Sequence, residues 1–314
     1  MPSRRLTNSD LEKIVDTSDA WITERSGIKE RRISADNEHS SDMSMAAIKK
    51  ALEMAGLRPE DIDLLIIGTV TPDYRLPSTS CIVQKKLGLV NAATMDVVAA
   101  CAGFLHALAT ADAFIKAGRF RRIVVVGVEK LTSITDYTDR NTCVLFGDGA
   151  GAAVVEPTED ERGVLGTFMK SNGNYADLLW IPDGGSINPL GNKNNGNANV
   201  YIKMNGREVF KHAVREMEKA CRNVLDRSGL TTDDVTLLVP HQANIRIEEA
   251  LAKRLNIPVE KVFINIAKYG NTSSASVPIA LDEAYREGKI KENDIVLMTA
   301  FGGGLTWASA LVKW

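Results

Sequence analysis

Hydrophobic positions recur along the chain in two rhythms. Between residues 42 and 55, Met43, Ala47, Ala51 and Met54 return every three or four positions and stop at Gly56. That spacing predicts an amphipathic helix with a glycine at its C-terminus. Residues 62–67 and 123–128 are instead short apolar runs, the second almost pure Val and Ile. Such runs predict strands covered on both faces of a sheet. The same reading predicts helices over 78–87 and 103–117 and strands over 94–98 and 152–155. In the second half it predicts strands over 164–169, 235–239, 262–266, 295–299 and 306–312, with helices over 207–227, 245–255 and 274–286. Residues 182–199 are rich in Gly and Asn and carry no period. They predict an exposed excursion.

The order of elements repeats. Asp61-Ile62-Asp63-Leu64-Leu65 parallels Asp234-Val235-Thr236-Leu237-Leu238, 173 residues on, and Gly118-Arg119-Phe120 parallels Gly288-Lys289-Ile290, 170 residues on. Two stacked α/β halves, 1–160 and 161–314, follow from this, each a mostly parallel sheet with helices on its faces. The second half opens with a strand near Val164. The first half shows none before Asp10, so its first strand is expected to be missing.

Composition narrows the class. Of 314 residues, 44% are hydrophobic and 25% charged, the balance of a globular protein. No apolar run approaches the ~18 residues that cross a bilayer. With 38 basic against 40 acidic residues the net charge is −2, which argues against broad nucleic-acid binding. The basic start, Met1 to Asn8, has no apolar stretch after it and does not read as a secretory signal. Cys81, Cys101, Cys143 and Cys221 contain no C-x-x-C, so reduced thiols in a cytoplasm are expected. His39, His106, His212 and His241 lack the spacing of a zinc site.

Three positions stand at the carboxyl ends of predicted strands, where ligands gather in open α/β sheets. Cys101, in Ala-Ala-Cys-Ala-Gly-Phe, begins a helix, and unpaired N–H groups there favour a thiolate. His241 lies in Pro-His-Gln-Ala-Asn directly after a buried strand. Asn271, in Tyr-Gly-Asn-Thr-Ser, falls opposite Cys101 under the 170-residue offset. The bland alternatives are a small buried thiol, a hydrogen-bonded core histidine and a turn with a helix cap. Phe301-Gly302-Gly303-Gly304 reads either as a bend between strands or as backbone N–H aimed at an oxyanion. Phe146-Gly147-Asp148-Gly149-Ala150-Gly151 leads into a strand, not a helix, so a dinucleotide loop is excluded.

Together these motifs, with the terminal Phe-Gly-Gly-Gly-Leu-Thr-Trp, resemble the β-ketoacyl-acyl carrier protein synthase III family, of thiolase-like fold, from about Thr7 to Trp314. The stretch Asp16 to Ile22 with Arg25-Ser26-Gly27-Ile28 also matches. The resemblance implies an acyl-CoA primer carried on Cys101 and condensed with malonyl-acyl carrier protein, with His241 and Asn271 stabilising the enolate. It implies an oxyanion hole from the N–H groups of Cys101 and Gly303, and no metal or redox cofactor. It further implies Trp21, Arg25 and Arg140 at the CoA adenine, Asn244 on the pantetheine arm and Phe146 lining the tunnel. Lys211, Arg246, Lys253 and Arg254 would dock the acidic carrier protein, and Leu76 would close the acyl pocket of a partner in a homodimer. Members of that family usually begin with a strand and a Gly-rich turn ahead of the segment matching Pro2, which agrees with the strand expected to be missing. A papain-like cysteine hydrolase, a non-catalytic acyl-binding relative and a thiolase are the rivals. The thiolase would need a second cysteine near the C-terminus, and residues 301–314 contain none.

Overall fold

A strand that the hydrophobic pattern missed opens the chain. In the computed structural model, which describes residues 1–190 and 198–314, β1 (Arg4–Thr7) pairs antiparallel with β2 (Glu30–Ile33). The sequence Arg-Arg-Leu-Thr has no apolar alternation to reveal it. It is held by Arg31, fully buried, which donates to the carbonyls of Leu6 and Val144 and to Asn8 Oδ1. The expectation of no strand before Asp10 is therefore corrected, but this ribbon joins neither main sheet.

After α1 (Asn8–Leu11) and α2 (Asp19–Ser26) the first half runs α3 (Ser40–Ala55), β3 (Leu64–Gly68), α4 (Thr79–Leu87), β4 (Ala93–Val97), α5 (Gly103–Lys116), β5 (Ile123–Lys130), α6 (Arg140–Cys143) and β6 (Asp148–Val155). Gly56 ends α3 in the left-handed conformation, as the pattern predicted, and Gly88 ends α4 in the same way. The strands assemble in the order β4-β3-β5-β6, parallel except for β6.

The second half runs β7 (Gly163–Ser171), the short β8 (Leu179–Trp180) and β9 (Lys203–Met204), α7 (Gly206–Arg227), β10 (Leu237–Pro240), α8 (Ile245–Leu255), α9 (Ile266–Tyr269), α10 (Ser276–Arg286), β11 (Ile295–Gly302) and β12 (Thr306–Lys313). Its sheet is β10-β11-β12-β7, with β10 parallel to β11 and the others antiparallel. The strand predicted over 262–266 is reduced to a single parallel bridge between Leu238 and Val262, because the chain turns into α9 at Ile266. Part of the predicted excursion over 182–199 lies outside the described residues.

Burial sorts these elements into five layers. Alternate residues of β3 and β5 (Ile66, Val125) and of β10 and β11 (Val239, Met298) face α5 and α10 between the two sheets. The opposite faces pack on α3 and α4 through Leu65 and Val124, and on α7 and α8 through Leu238 and Leu297. The central helices start against the strand ends. A Cβ on Gly68 would sit 2.5 Å from the carbonyl carbon of Gly103, so only glycine lets α5 begin there.

Candidate active site

Cys101 lies in a one-turn 3-10 segment, Ala100–Ala102, that feeds α5. The turn is forced into shape from both sides. Ala100 adopts φ 44°, a left-handed conformation unusual for a residue with a Cβ. Gly302, at the end of β11, lies so close that a Cβ there would stand 2.5 Å from the Cys101 amide nitrogen. Burial pushes the thiol up to about 12, opposed by the Ser273 hydroxyl, and the nearby Glu129 pushes it the same way. Desolvation thus opposes the thiolate expected from the helix start, because burial disfavours the charged form.

His241 follows β10 directly, and its N–H donates to the carbonyl of Thr299 at 2.7 Å. Its Nδ1 lies 2.6 Å from Ser276 Oγ. Burial pulls its pKa down to about 3, so the ring is neutral. Asn271 is fixed by its backbone, donating to the carbonyl of Leu145 and accepting from Gly147, each at 2.9 Å. Its side-chain oxygen accepts from the Ser273 amide at 2.9 Å, which leaves the Nδ2 hydrogens for another acceptor. One short segment, 271–276, thus carries Asn271, places Ser273 in the cavity that Cys101 lines and meets His241 through Ser276.

Cys101, Phe146, Ser273 and Gly303 share a cavity of about 580 Å³, walled mostly by apolar side chains such as Val70, Leu131 and Ile202, with His106, Ser171 and Thr306 also at its surface. Next to it, Leu145 borders a cavity of about 950 Å³ that Trp21, Arg25, Asn244 and Arg246 also line. The Trp21 ring sits under two guanidinium groups, Arg25 at 4.8 Å and Arg140 at 5.3 Å. Asn244 caps α8 through Arg246 N and donates to the carbonyl of Arg25, so it joins α8 to α2. Lys211 and Arg254 stand outside both cavities, each paired at 2.6 Å, with Glu208 and Glu218. Lys253 is exposed near the end of α8. Leu76 is 87% exposed and lines neither cavity.

The sequence reading missed Ser273, which read as a turn residue, Ser276, which fell inside the predicted helix 274–286, and Glu129, which stood at the edge of a predicted strand. It also missed Arg207 and Phe210 at the second cavity. Their signal was the regular spacing of α7 beside a Gly-rich approach. Among the described residues no three His, Cys, Asp or Glu side chains gather as a metal site, and no helix is long and apolar enough to cross a membrane.

Two stacked α/β sheets sharing a central helical layer, with a buried cysteine at the first central helix and a histidine and asparagine delivered from the second half, define a condensing enzyme of thiolase-like fold. Two family models, 3-oxoacyl-[acyl-carrier-protein] synthase III over residues 95–173 and its C-terminal part over 225–314, match the chain. It is 53% identical to the beta-ketoacyl-[acyl-carrier-protein] synthase III of Caldanaerobacter subterraneus subsp. tengcongensis, over 100% of this chain and 95% of that protein. A crystal structure of 3-oxoacyl-[acyl-carrier-protein] synthase III from Aquifex aeolicus VF5 is 52% identical, with TM-score 0.94 over 100% of this chain and 97% of that one. The corresponding structure from Thermus thermophilus is 43% identical, with TM-score 0.93 over 100% of this chain and 96% of that one. The chain belongs to the 3-oxoacyl-[acyl-carrier-protein] synthase III family of condensing acyltransferases.

Proposed function

We propose that this protein starts fatty acid synthesis by joining a short acyl-CoA to malonyl-acyl carrier protein, through an acyl group held on Cys101. The observation that supports this most is the short segment 271–276, which meets His241 through Ser276 and lines, with Cys101, a largely apolar cavity of about 580 Å³. In the first step the Cys101 sulfur attacks the thioester carbonyl, CoA leaves as its thiol, and the acyl chain enters the apolar cavity. The N–H groups of Cys101 and Gly303 hold the oxyanion. In the second step malonyl-acyl carrier protein loses carbon dioxide. The resulting carbanion attacks the acyl-cysteine and expels the Cys101 thiolate.

His241 and Asn271 serve that second step. A hydroxyl donated by Ser276 to Nδ1 fixes the tautomer that carries its proton on Nε2. A neutral Nε2–H and the free Asn271 Nδ2–H are then two donors for the enolate oxygen. Trp21, with Arg25 and Arg140, holds the CoA adenine, and Asn244 and Phe146 border the path of its arm. Arg246, Lys253, Lys211 and Arg254 receive the acidic carrier protein. Exposed Leu76 closes the acyl pocket of a second copy in a homodimer. The halves divide at 160/161. No cofactor is required, and the enzyme works in the cytoplasm.

One series of incubations tests this reading. Acetyl-, isobutyryl- and hexanoyl-CoA are each given to the wild type, and the adduct is located by mass spectrometry. Cys101 gains the acyl mass, and Cys101→Ala gains none. His241→Ala and Asn271→Ala still acylate but lose about 100–1000-fold in condensation with malonyl-acyl carrier protein. Leu76→Phe changes the primer profile, and added salt weakens the carrier-protein step. Acyl mass on another cysteine, or His241→Ala losing acylation while keeping condensation, overturns the assignment.

A further inference from the structure

Three polar side chains stand together in the cavity beside Cys101, and the chemistry described above uses none of them. His106 comes from α5, Thr306 is the first residue of β12 and Ser171 is the last residue of β7. His106 Nδ1 lies 3.0 Å from the carbonyl of Ala102, and its Nε2 lies 3.2 Å from Thr306 Oγ1. Ser171 Oγ donates to Thr306 Oγ1 at 3.3 Å. A carbonyl can only accept, so the imidazole proton sits on Nδ1 and leaves Nε2 as an acceptor. Thr306 then gives its proton to Nε2 and receives one from Ser171. Burial lowers the His106 pKa below the usual imidazole value, which keeps the ring neutral.

The hydrogen bonds therefore run one way, from Ser171 through Thr306 and His106 to Ala102. Thr306 is buried, His106 half-buried and Ser171 exposed along the cavity. At this open end Ser171 Oγ keeps its lone pairs and has no proton to offer. The other hydroxyl of the lining, on Ser273, is given to Glu129 at 3.4 Å, and Trp180 adds an indole N–H. Gly302, which abuts the Cys101 amide, stands beside Thr306, and Thr306 beside Ser171, across β11, β12 and β7. Neighbouring strands lie ~4.8 Å apart, which puts Ser171 about 10 Å from Gly302.

We propose that this cavity selects a chain with a hydroxyl group toward its far end, which donates to Ser171 Oγ. The inference rests on the acyl-CoA reading above and deepens it: the preferred primer is a hydroxyacyl group, ahead of a plain or a keto one. A plain chain strips water from Ser171 and returns no bond. A ketone brings a second acceptor to an acceptor. A hydroxyl restores the bond that water made. His106 is a positioning residue here, since it fixes the direction of the chain of hydrogen bonds without touching the primer.

The test equilibrates the protein with the symmetric disulfides of hexanethiol, of its analogue hydroxylated on the next-to-last carbon and of the corresponding ketone. Mass spectrometry locates the mixed disulfide on each cysteine, so the readout does not require acyl-CoA as the substrate. Exposed Cys81 serves as the reference for the intrinsic reactivity of each probe. At Cys101, relative to Cys81, the hydroxyl chain is favoured about 3–10-fold over the plain chain and over the ketone. Ser171→Ala brings the three to parity. In His106→Phe the Thr306 proton loses its acceptor and turns to Ser171, which then has a proton to offer, so the preference moves to the ketone. A merely structural His106 would not reverse it. Equal uptake of the three chains by the wild type, or a hydroxyl preference that survives in folded Ser171→Ala, overturns the proposal. Hexanoyl-CoA and its hydroxylated analogue separate this from the function. If the disulfide preference holds but neither thioester loads Cys101, the acyl-CoA reading fails and the selectivity of the cavity stands. If both load Cys101 equally and the disulfides show no preference, this inference alone fails.

Discussion

The two halves share a plan, and they differ at one edge. In the second sheet β12 is flanked by β11 on one side and β7 on the other. In the first sheet β6 holds the place of β12 and pairs only with β5, so its far edge carries no strand among the described residues. Three cavities, of about 770, 260 and 420 Å³, run along that edge and share Ala152, Ala153 and Val154 between them. Val154 and Leu311 occupy matching places, opposite Val124 and Leu297 on the outer faces of their sheets. Leu311 is fully buried, whereas Val154 is only partly so. Equivalent topology therefore does not give equivalent packing. The strand beside β12 is what turns a half-covered position into a core one.

The sharpest way to break this comparison is a pair of truncations read by urea unfolding. Leu311→Ala removes a fully enclosed side chain and is expected to cost about 2–5 kcal/mol. Val154→Ala, beside space that is already open, is expected to cost no more than about 1 kcal/mol. Equal costs would mean that the edge of β6 is as well packed as that of β12.

A smaller effect separates the halves by their buried acids. Glu129 in the first half accepts four donors, whereas both carboxylate oxygens of Glu248 in α8 are buried with no partner among the described residues. Burial pushes Glu248 from 4.5 up to about 8. The native state thus keeps a proton that the unfolded chain loses near 4.5, so stability falls as pH rises from there through about 8. Glu248→Gln removes that dependence. Its Tm is expected to exceed wild type at pH 8.5 and to match it near pH 4.5. A gain that is the same at both pH values would place the cause elsewhere than in this proton.

Much of this was readable from residues alone, because burial and period leave marks. The Val-Ile run of β5 and the glycine after α3 placed those elements to within a few residues. His241 stood out because a polar cluster directly after a buried strand is uncommon, Cys101 because it begins a helix, and Asn271 because it falls opposite Cys101 in the repeat. The reading failed where tertiary contacts decide. The run at 262–266 makes only one bridge, from Val262 to Leu238, before the chain turns into α9 at Ile266. Glu129 looked like a solvated strand end because the residues that satisfy it, Thr69, Thr71 and Ser273, lie 60, 58 and 144 positions away.

The left-handed turns near the Cys101 thiol, Ala100 at φ 44° and Ser273 at φ 48°, set a limit on how robust this protein can become. A left-handed residue with a Cβ costs about 1–2 kcal/mol, and glycine removes that cost while giving back roughly half through chain entropy. Ala100→Gly is therefore expected to raise the urea-derived stability by about 0.5–1 kcal/mol and to slow acylation of Cys101. On the proposed role of Cys101, selection for heat resistance would find this easy gain first and would have to forgo it, because the turn that the fold holds under tension is the one that carries the sulfur.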